Sequence, residues 1–417
     1  MQEHGGTTRR STACRQLEGR EKPGQSALVY DSTSMPYPCR MLGRLALVGL
    51  LAAGLGASCQ PSQPGQSGEQ ATAVATEPAQ SATPASKPSE QEPLTVQRTR
   101  QLMGTIVQIT VLATPGQSRA ALERAVQEAF QEIVRLEGLL SEWQPDSEIS
   151  RINRAAGQHA VPVSEDTWHV IEAGLQVSRW SEGAFDLTWA ALRGLYSFQP
   201  DAHRVPEPSE LAARLPLIDY RAVQLDPSAR TVRLPKAGMA IGTGSIAKGY
   251  ALDRAGEVLQ KAGIAHYMIF GGGQIQVFGG RLGRPFRVGI QHPRRNDYFA
   301  YLEVDTGSVA TSGDYEHAFM QGGVHWHHLL DLATGFPVRH TMSVTVLSDS
   351  GLYADALSTA IFAMGKERAL SRLATVPGRS KFVLVDKANV VHVGGELAGA
   401  LFFNEPMTGP GPLKPRD

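Results

Sequence analysis

The sequence predicts an α+β fold of largely antiparallel sheets with helices packed on them. Two observations carry this. Short alternating segments follow one another at Tyr267–Phe270, Gln274–Phe278, Phe286–Ile290, Tyr301–Val304 and Ser308–Ala310, with Gly and Pro between them. Such neighbouring strands outnumber strand–helix–strand units, the pattern of an α+β rather than an α/β chain. No internal repeat interrupts this reading.

Length and charge set the bounds. The 417 residues suffice for one large domain or two modest ones. Lys plus Arg equals Asp plus Glu, at 40 each, which argues against a chain-wide nucleic-acid surface. All three cysteines, Cys14, Cys39 and Cys59, precede the folded body, so the body holds neither a disulfide nor a thiolate metal site.

Residues 1–34 are polar and aperiodic and read as a disordered or non-native extension; Met35 or Met41 is the more conventional start. Residues 35–59 read as a signal segment. Arg40 and Arg44 precede an apolar run, Leu45 to Ala57, that is too short to span a bilayer comfortably, and Cys59 follows at once. This resembles a bacterial lipoprotein signal, although Gly56 stands where Leu is usual. A plain cleaved signal with an incidental cysteine is the other reading. The expectation is export to the periplasmic side of a bacterial membrane, with a lipid anchor at Cys59. Residues 60–95 are rich in Ser, Pro, Gln, Ala and Thr and bury too little apolar surface to order themselves, so they read as a tether.

The folded body, 96–417, opens with an alternating strand at Thr105–Leu112. Ser118 caps a helix to about Leu140, and Ser164 caps another to about Arg179. A hairpin is expected over Val223–Leu225 and Thr231–Leu234, a strand–turn–helix over Met239–Ala262, a strand at Ser343–Leu347, and a final hairpin at Lys381–Val385 and Val390–Val393.

One stretch stands out chemically. Tyr353–Gly365 reads as a helix, with Ser348, Asp349 and Ser350 as possible caps and Gly365 as its stop. Leu357, Ala360, Ile361 and Met364 make its apolar face. Asp355, Ser358 and Thr359 lie opposite, at i, i+3 and i+4, with none of the long charged side chains of a solvated face. Such oxygens are hard ligands that suit Mg²⁺; equally, they describe a helix whose small polar groups bond locally. Upstream, His328 and Asp331 fall at the end of a short apolar strand before a Thr-Gly turn. Ile241-Gly-Thr-Gly-Ser-Ile-Ala-Lys-Gly-Tyr250 is a glycine-containing turn into a helix, where free N–H groups attract phosphate. Its glycine spacing is not that of a P-loop.

Taken in order, His-x-x-Asp-x-x-Thr-Gly-x-Pro from His328, Ser-Val-Thr-Val from Ser343 and Ala-Asp-Ala-Leu-Ser-Thr-Ala from Ala354 resemble the ApbE family, the FAD:protein FMN transferases. Met103-Gly-Thr105, Leu140-Ser-Glu-Trp143, Pro145–Asn153, Gly183-Ala-Phe-Asp186, the Ile241–Tyr250 turn, Gly271-Gly-Gly-Gln274 and Thr311-Ser-Gly-Asp-Tyr-Glu316 are similar to family segments in the same order. The resemblance implies a single T-fold-like catalytic domain that uses FAD and Mg²⁺. FMN would pass to a Thr or Ser hydroxyl of an acceptor protein, such as a periplasmic or membrane reductase subunit, and AMP would leave. It implies metal contacts from Ser245, Asp355, Ser358 and Thr359. FAD contacts would come from Met103, Trp143, Ala184, Phe185, Asp186, Lys248 and His328. His328, beside Asp331, would take the acceptor's proton, and the Thr311–Glu316 segment would support the site. Two positions depart from the pattern: Gly242 replaces an Asp, and Gln274 replaces Asn or Asp. FAD hydrolysis to FMN and AMP, or flavin binding without catalysis, are the other readings.

The anchor expectation is tested directly. Labelled fatty acid should enter the wild-type chain and not Cys59→Ser; equal labelling of both would remove the anchor.

Overall fold

Alternation of the strands sorts their side chains onto two faces, and the two faces meet different partners. The computed structural model describes residues 29–30 and 94–404, so the signal segment, Cys59 and all but the last two residues of the tether lie outside the described residues. The strands are β1 (Val29–Tyr30), β2 (Thr95–Leu102), β3 (Thr105–Leu112), β4 (Val161–Pro162), β5 (Gln224–Asp226), β6 (Thr231–Arg233), β7 (His266–Gly271), β8 (Gln274–Phe278), β9 (Phe286–Gln291), β10 (Tyr298–Val304), β11 (Gly307–Gly313), β12 (Ala318–Gln321), β13 (Val324–His327), β14 (Thr341–Ser348), β15 (Lys381–Asp386), β16 (Val391–Gly394) and β17 (Leu401–Phe403). The helices are α1 (Arg119–Leu140), α2 (Glu148–Arg154), α3 (Glu165–Trp180), α4 (Pro208–Arg214), α5 (Ala247–Lys261) and α6 (Gly351–Ser371). All described residues belong to one compact unit; the second unit, 35–92, lies outside them.

Nine strands form one sheet in the order β1-β16-β15-β14-β11-β8-β7-β3-β2. Each pairing within it is antiparallel, which makes the fold α+β. On one face, Ile109, Tyr267, Val344, Val346, Phe382 and Leu384 bury against α1, α3, α5 and α6 in a single core. On the other, Val277, Val309, Val383 and Val385 bury against Val288, Phe299 and Leu302 of the small sheet β17-β10-β9. Residues 382 to 385 thus alternate between cores, the period of two expected of a strand buried on both faces. Full burial of side chains of this size stabilises by about 1.5–3 kcal/mol each. Among the described residues no helix is long and apolar enough to cross a membrane.

Two local expectations differ from the structure. No strand forms at Met239–Ile241, because the Ile241 N–H and C=O are taken by the Asn153 side chain at 2.7 and 2.9 Å. The strand before the Thr-Gly turn ends at His327, and it pairs with β12 through a Gly322-Gly323 turn that the sequence reading did not find. Gly365, at φ 73°, stops the first arm of α6 as expected, and a second helical arm continues to Ser371.

Helices α5 and α6 meet at their N-terminal ends, and this contact places the site. Gly249 lies against Gly351 so closely that a Cβ on Gly249 would stand 2.0 Å from the Gly351 carbonyl oxygen. Each helix caps the other. Neither Ile246 before α5 nor Ser350 before α6 gives a side-chain cap. Instead the Asp253 carboxylate of α5 accepts from Gly351 N (2.8 Å), Leu352 N (3.1 Å) and the Ser350 hydroxyl (3.0 Å). The Asp355 carboxylate of α6 accepts from Gly249 N at 3.1 Å. Burial pushes the Asp253 carboxyl up to about 6, against the pull of the Leu352 and Gly351 N–H groups.

Asp253→Ala should therefore lower unfolding stability by about 1–3 kcal/mol, the penalty of orphaned buried donors. Denaturant unfolding measures it, and a change within experimental error would show that the cap adds nothing.

Candidate active site

The site lies at the end of the sheet where the β2–β3 and β7–β8 turns approach the α5–α6 contact. The Gly271–Gln274 turn abuts both. A Cβ on Gly272 would meet the Thr105 hydroxyl at 2.8 Å, and Gln274 Nε2 donates to Gly351 O at 2.9 Å. Gln274 is fully buried, and its Oε1 has no hydrogen-bond partner among the described residues.

At the centre sits the buried Asp355. The Lys248 ammonium donates to Gly244 O at 2.7 Å and lies 3.3 Å from both Asp355 oxygens. A main-chain carbonyl and a carboxylate thus converge on one cation. The next turn of α6 brings Ser358 and Thr359 to Ser312 of β11, at 2.8 and 3.3 Å. The Ser358 hydroxyl donates back to the Asp355 carbonyl at 2.8 Å. The polar face of α6 is therefore packed against β11 and α5 rather than solvated, which explains its lack of long charged side chains. Ser245 is half-buried in the turn before α5.

His328 follows directly on β13. Its Nδ1 lies 3.0 Å from Glu316 O, and its ring meets His317 edge to face, with centroids 5.3 Å apart. Close packing, then the charges of His317 and Lys248, lower its pKa. The residue still keeps a solvent-exposed surface. The Lys248 charge acts in this direction whether or not the ring is enclosed. It also ties His328 to the Lys248 end of the site. Neighbouring His327 is a packing residue: it is buried, bonded to Val338 O at 2.9 Å, and desolvation pushes its pKa to about 3.

Asp331 is brought beside His328 in sequence, but its carboxylate closes its own turn, accepting from Ala333 N (3.0 Å) and the Thr334 hydroxyl (3.1 Å). Phe185 is buried in the helix-side core. The buried Asp186 accepts from Thr188 N, the Thr188 hydroxyl and Tyr220 N, at 2.6 to 2.8 Å. With its acceptors spent on protein donors, Asp186 shapes the loop, and the half-buried Ala184 is what this segment offers outward. Met103 takes a left-handed conformation, φ 52°, at the β2–β3 turn, and its N–H donates to Glu137 at 2.8 Å. Trp143 is 74% exposed, with the Arg193 guanidinium 4.9 Å from its ring centre, so one flat surface is open to a flat ligand.

The Gly242 departure has a structural counterpart. The buried Glu142 carboxylate reaches in from the α1–α2 connection and accepts from Thr243 N at 2.6 Å. A Cβ on Gly242 would stand 2.8 Å from Glu142 Oε2 and 2.6 Å from Trp189 Nε1. Glycine is what lets this carboxylate come so close. Burial raises the pKa of Glu142, and Arg193, 3.1 Å away, holds it back.

Asp253, Glu142 and Ser312 were not singled out from sequence. Asp253 lies five residues beyond Lys248 with nothing local to mark it, Glu142 sits inside a recognised segment without a stated role, and Ser312 inside one expected only to support the site. Only the spatial crossing of elements far apart in the chain reveals them.

An antiparallel α+β body with an Asp–hydroxyl helix face against a lysine-bearing turn defines the class, and comparison with known proteins defines the family. The ApbE family model matches residues 103–383. A FAD:protein FMN transferase of Vibrio cholerae is 32% identical over 292 residues, covering 68% of this chain and 85% of that protein. One from Klebsiella pneumoniae is 33% identical over 254 residues, covering 60% and 79%. Among solved structures, the ApbE protein of Thermotoga maritima superposes with a TM-score of 0.66 at 30% identity, covering 72% of this chain and 96% of the other. The flavin transferase ApbE of Vibrio cholerae gives 0.64 at 28% identity, with the same coverage. The chain belongs to the ApbE family, a family of transferase enzymes.

Gly242→Ala should destabilise the protein by about 1–3 kcal/mol, because the new methyl overpacks Trp189 and Glu142. A melting temperature equal to that of wild type would show that Glu142 has room to retreat.

Proposed function

We propose that the protein transfers FMN from FAD to a Thr or Ser hydroxyl of an acceptor protein, with Mg²⁺, and releases AMP. The observation that carries this reading is the convergence of Gly244 O and Asp355 on one cationic group, beside the Thr359 and Ser358 hydroxyls. Family membership and the printed activity of the relatives support it.

The donor set fits Mg²⁺. Among the described residues no three His, Cys, Asp or Glu side chains cluster to hold a metal. Hard oxygens from one carboxylate, a hydroxyl and main-chain carbonyls are present instead, and Mg²⁺ ordinarily completes its shell with water and phosphate oxygens. Asp355 and Thr359 would hold it, with Ser245 or Gly244 offering carbonyl oxygen. When bound, Mg²⁺ offsets the charge of the pyrophosphate and of the departing phosphate.

The chain's own residues do the rest. Lys248, at the start of α5, meets the pyrophosphate as a point charge, and the first-turn N–H groups there favour anions. Trp143 offers its exposed ring to a flat part of FAD. His328, neutral at pH 7 because its pKa lies below the ordinary value, removes the acceptor hydroxyl's proton as the oxygen attacks the FMN-side phosphorus. The P–O bond to the AMP-side phosphate breaks, and AMP carries that oxygen away. Export and a lipid anchor at Cys59 would place this chemistry on a periplasmic membrane surface, where a reductase subunit is the fitting acceptor.

His328→Ala should bind FAD with near-wild-type affinity while single-turnover transfer falls by about 10²–10⁴-fold. The wild-type rate should stay flat around neutrality and fall only below the ordinary histidine pKa of about 6.5, since the folded-state value is lowered. Binding and rate lost together, or a rate retained, would make His328 a contact rather than the base.

A further inference from the structure

We propose that Ser312 is a positioning residue that takes up the Thr359 hydroxyl proton, so that Thr359 presents unshared lone pairs to the cation held by Asp355. This rests on the metal site of the proposed function and adds to it a residue and a proton arrangement.

The direction of each hydrogen bond follows from the acceptor at the end of the chain. The Asp355 main-chain carbonyl can only accept, so the Ser358 hydroxyl spends its single proton there, at 2.8 Å. In the 2.8 Å contact between Ser312 and Ser358, Ser312 must then be the donor. That commits the Ser312 proton as well. In the 3.3 Å contact between Ser312 and Thr359, the proton can come only from Thr359. The order is Thr359 to Ser312 to Ser358 to Asp355 O.

A neutral hydroxyl ligates a hard cation through a lone pair and must hold its proton elsewhere. Ser312 supplies that place. Ser358, closed off at both ends and 2% exposed, supports the chain rather than offering an oxygen, whereas Thr359 is half-buried and its lone pairs are unspent. The fold holds Ser312 firmly. It stands on β11 opposite Val344 of β14, two residues from the buried Ala310 on the face that α6 covers. Two residues on, the buried Asp314 accepts from both guanidinium nitrogens of Arg294 at 2.6 Å, and its N–H donates to Met342 O at 2.9 Å. The end of the strand is thereby pinned next to α6.

The test is calorimetric titration of Mg²⁺ into the protein without FAD, on Ser312→Ala, Thr359→Ala and the double variant, each checked by melting. Ser312→Ala should weaken Mg²⁺ about fivefold, the typical net worth of one hydrogen bond. The double variant should bind no more weakly than Thr359→Ala alone, because both changes remove one chain. Should Ser312→Ala fail to fold, Ser312→Cys keeps the volume with a poor acceptor and should weaken Mg²⁺ similarly. Wild-type affinity in the Ser312 variant, or losses that add in the double variant, overturns the proposal. Asp355→Ala separates it from the underlying reading: Mg²⁺ binding retained there refutes the metal site itself. Binding lost there but intact in Ser312→Ala refutes only the role of Ser312.

Discussion

Two helices capping each other's first turns is the constraint on which the site depends. Asp253 of α5 closes the open N–H groups of α6, and Asp355 of α6 does the same for Gly249 of α5. The exchange is possible only because Gly249 and Gly351 let the backbones touch. It leaves the Asp355 carboxylate buried at a point of positive helix potential, next to Lys248. The residue that would organise the proposed metal site is therefore also a structural cap, and removing it touches both roles. That is why metal affinity in the absence of flavin, and not turnover alone, separates them.

Much of the fold was legible because local chemistry and tertiary context agree. The β3 and β8 bounds coincide with the alternating runs Thr105–Leu112 and Gln274–Phe278, and Ser118 and Ser164 cap the helices they were expected to cap. Where the two levels diverge, the sequence misleads. Ser350 precedes α6 but gives it no side-chain bond, since a carboxylate from another helix has taken the donors. The hairpin of β12 and β13 was missed because its strands are only four residues each.

The site was legible in type and less so in role. Lys248 meets Asp355 from a segment more than a hundred residues away, with Ser358 and Thr359 on the next turn of the same helix. Asp331, read from a motif match, spends its oxygens on its own turn, and Asp186 spends its own on Thr188 and the distant Tyr220. A motif places a carboxylate but does not say which donors it has already met. The two departures from the family pattern are likewise visible only in three dimensions. Glu142 brings a carboxylate to the turn that lacks Asp at 242, while Gln274 reaches Gly351 with its amide nitrogen and leaves a buried oxygen unpaired among the described residues.

The most direct measurement of the central claim is product analysis after incubation of the protein with FAD, Mg²⁺ and an acceptor protein bearing an exposed Thr. The account predicts that the acceptor gains the mass of FMN less water, with one AMP released per adduct. It predicts neither product in Asp355→Ala. Free FMN with AMP and an unmodified acceptor would make the protein a hydrolase, and intact FAD would make it a flavin binder; either result contradicts the account.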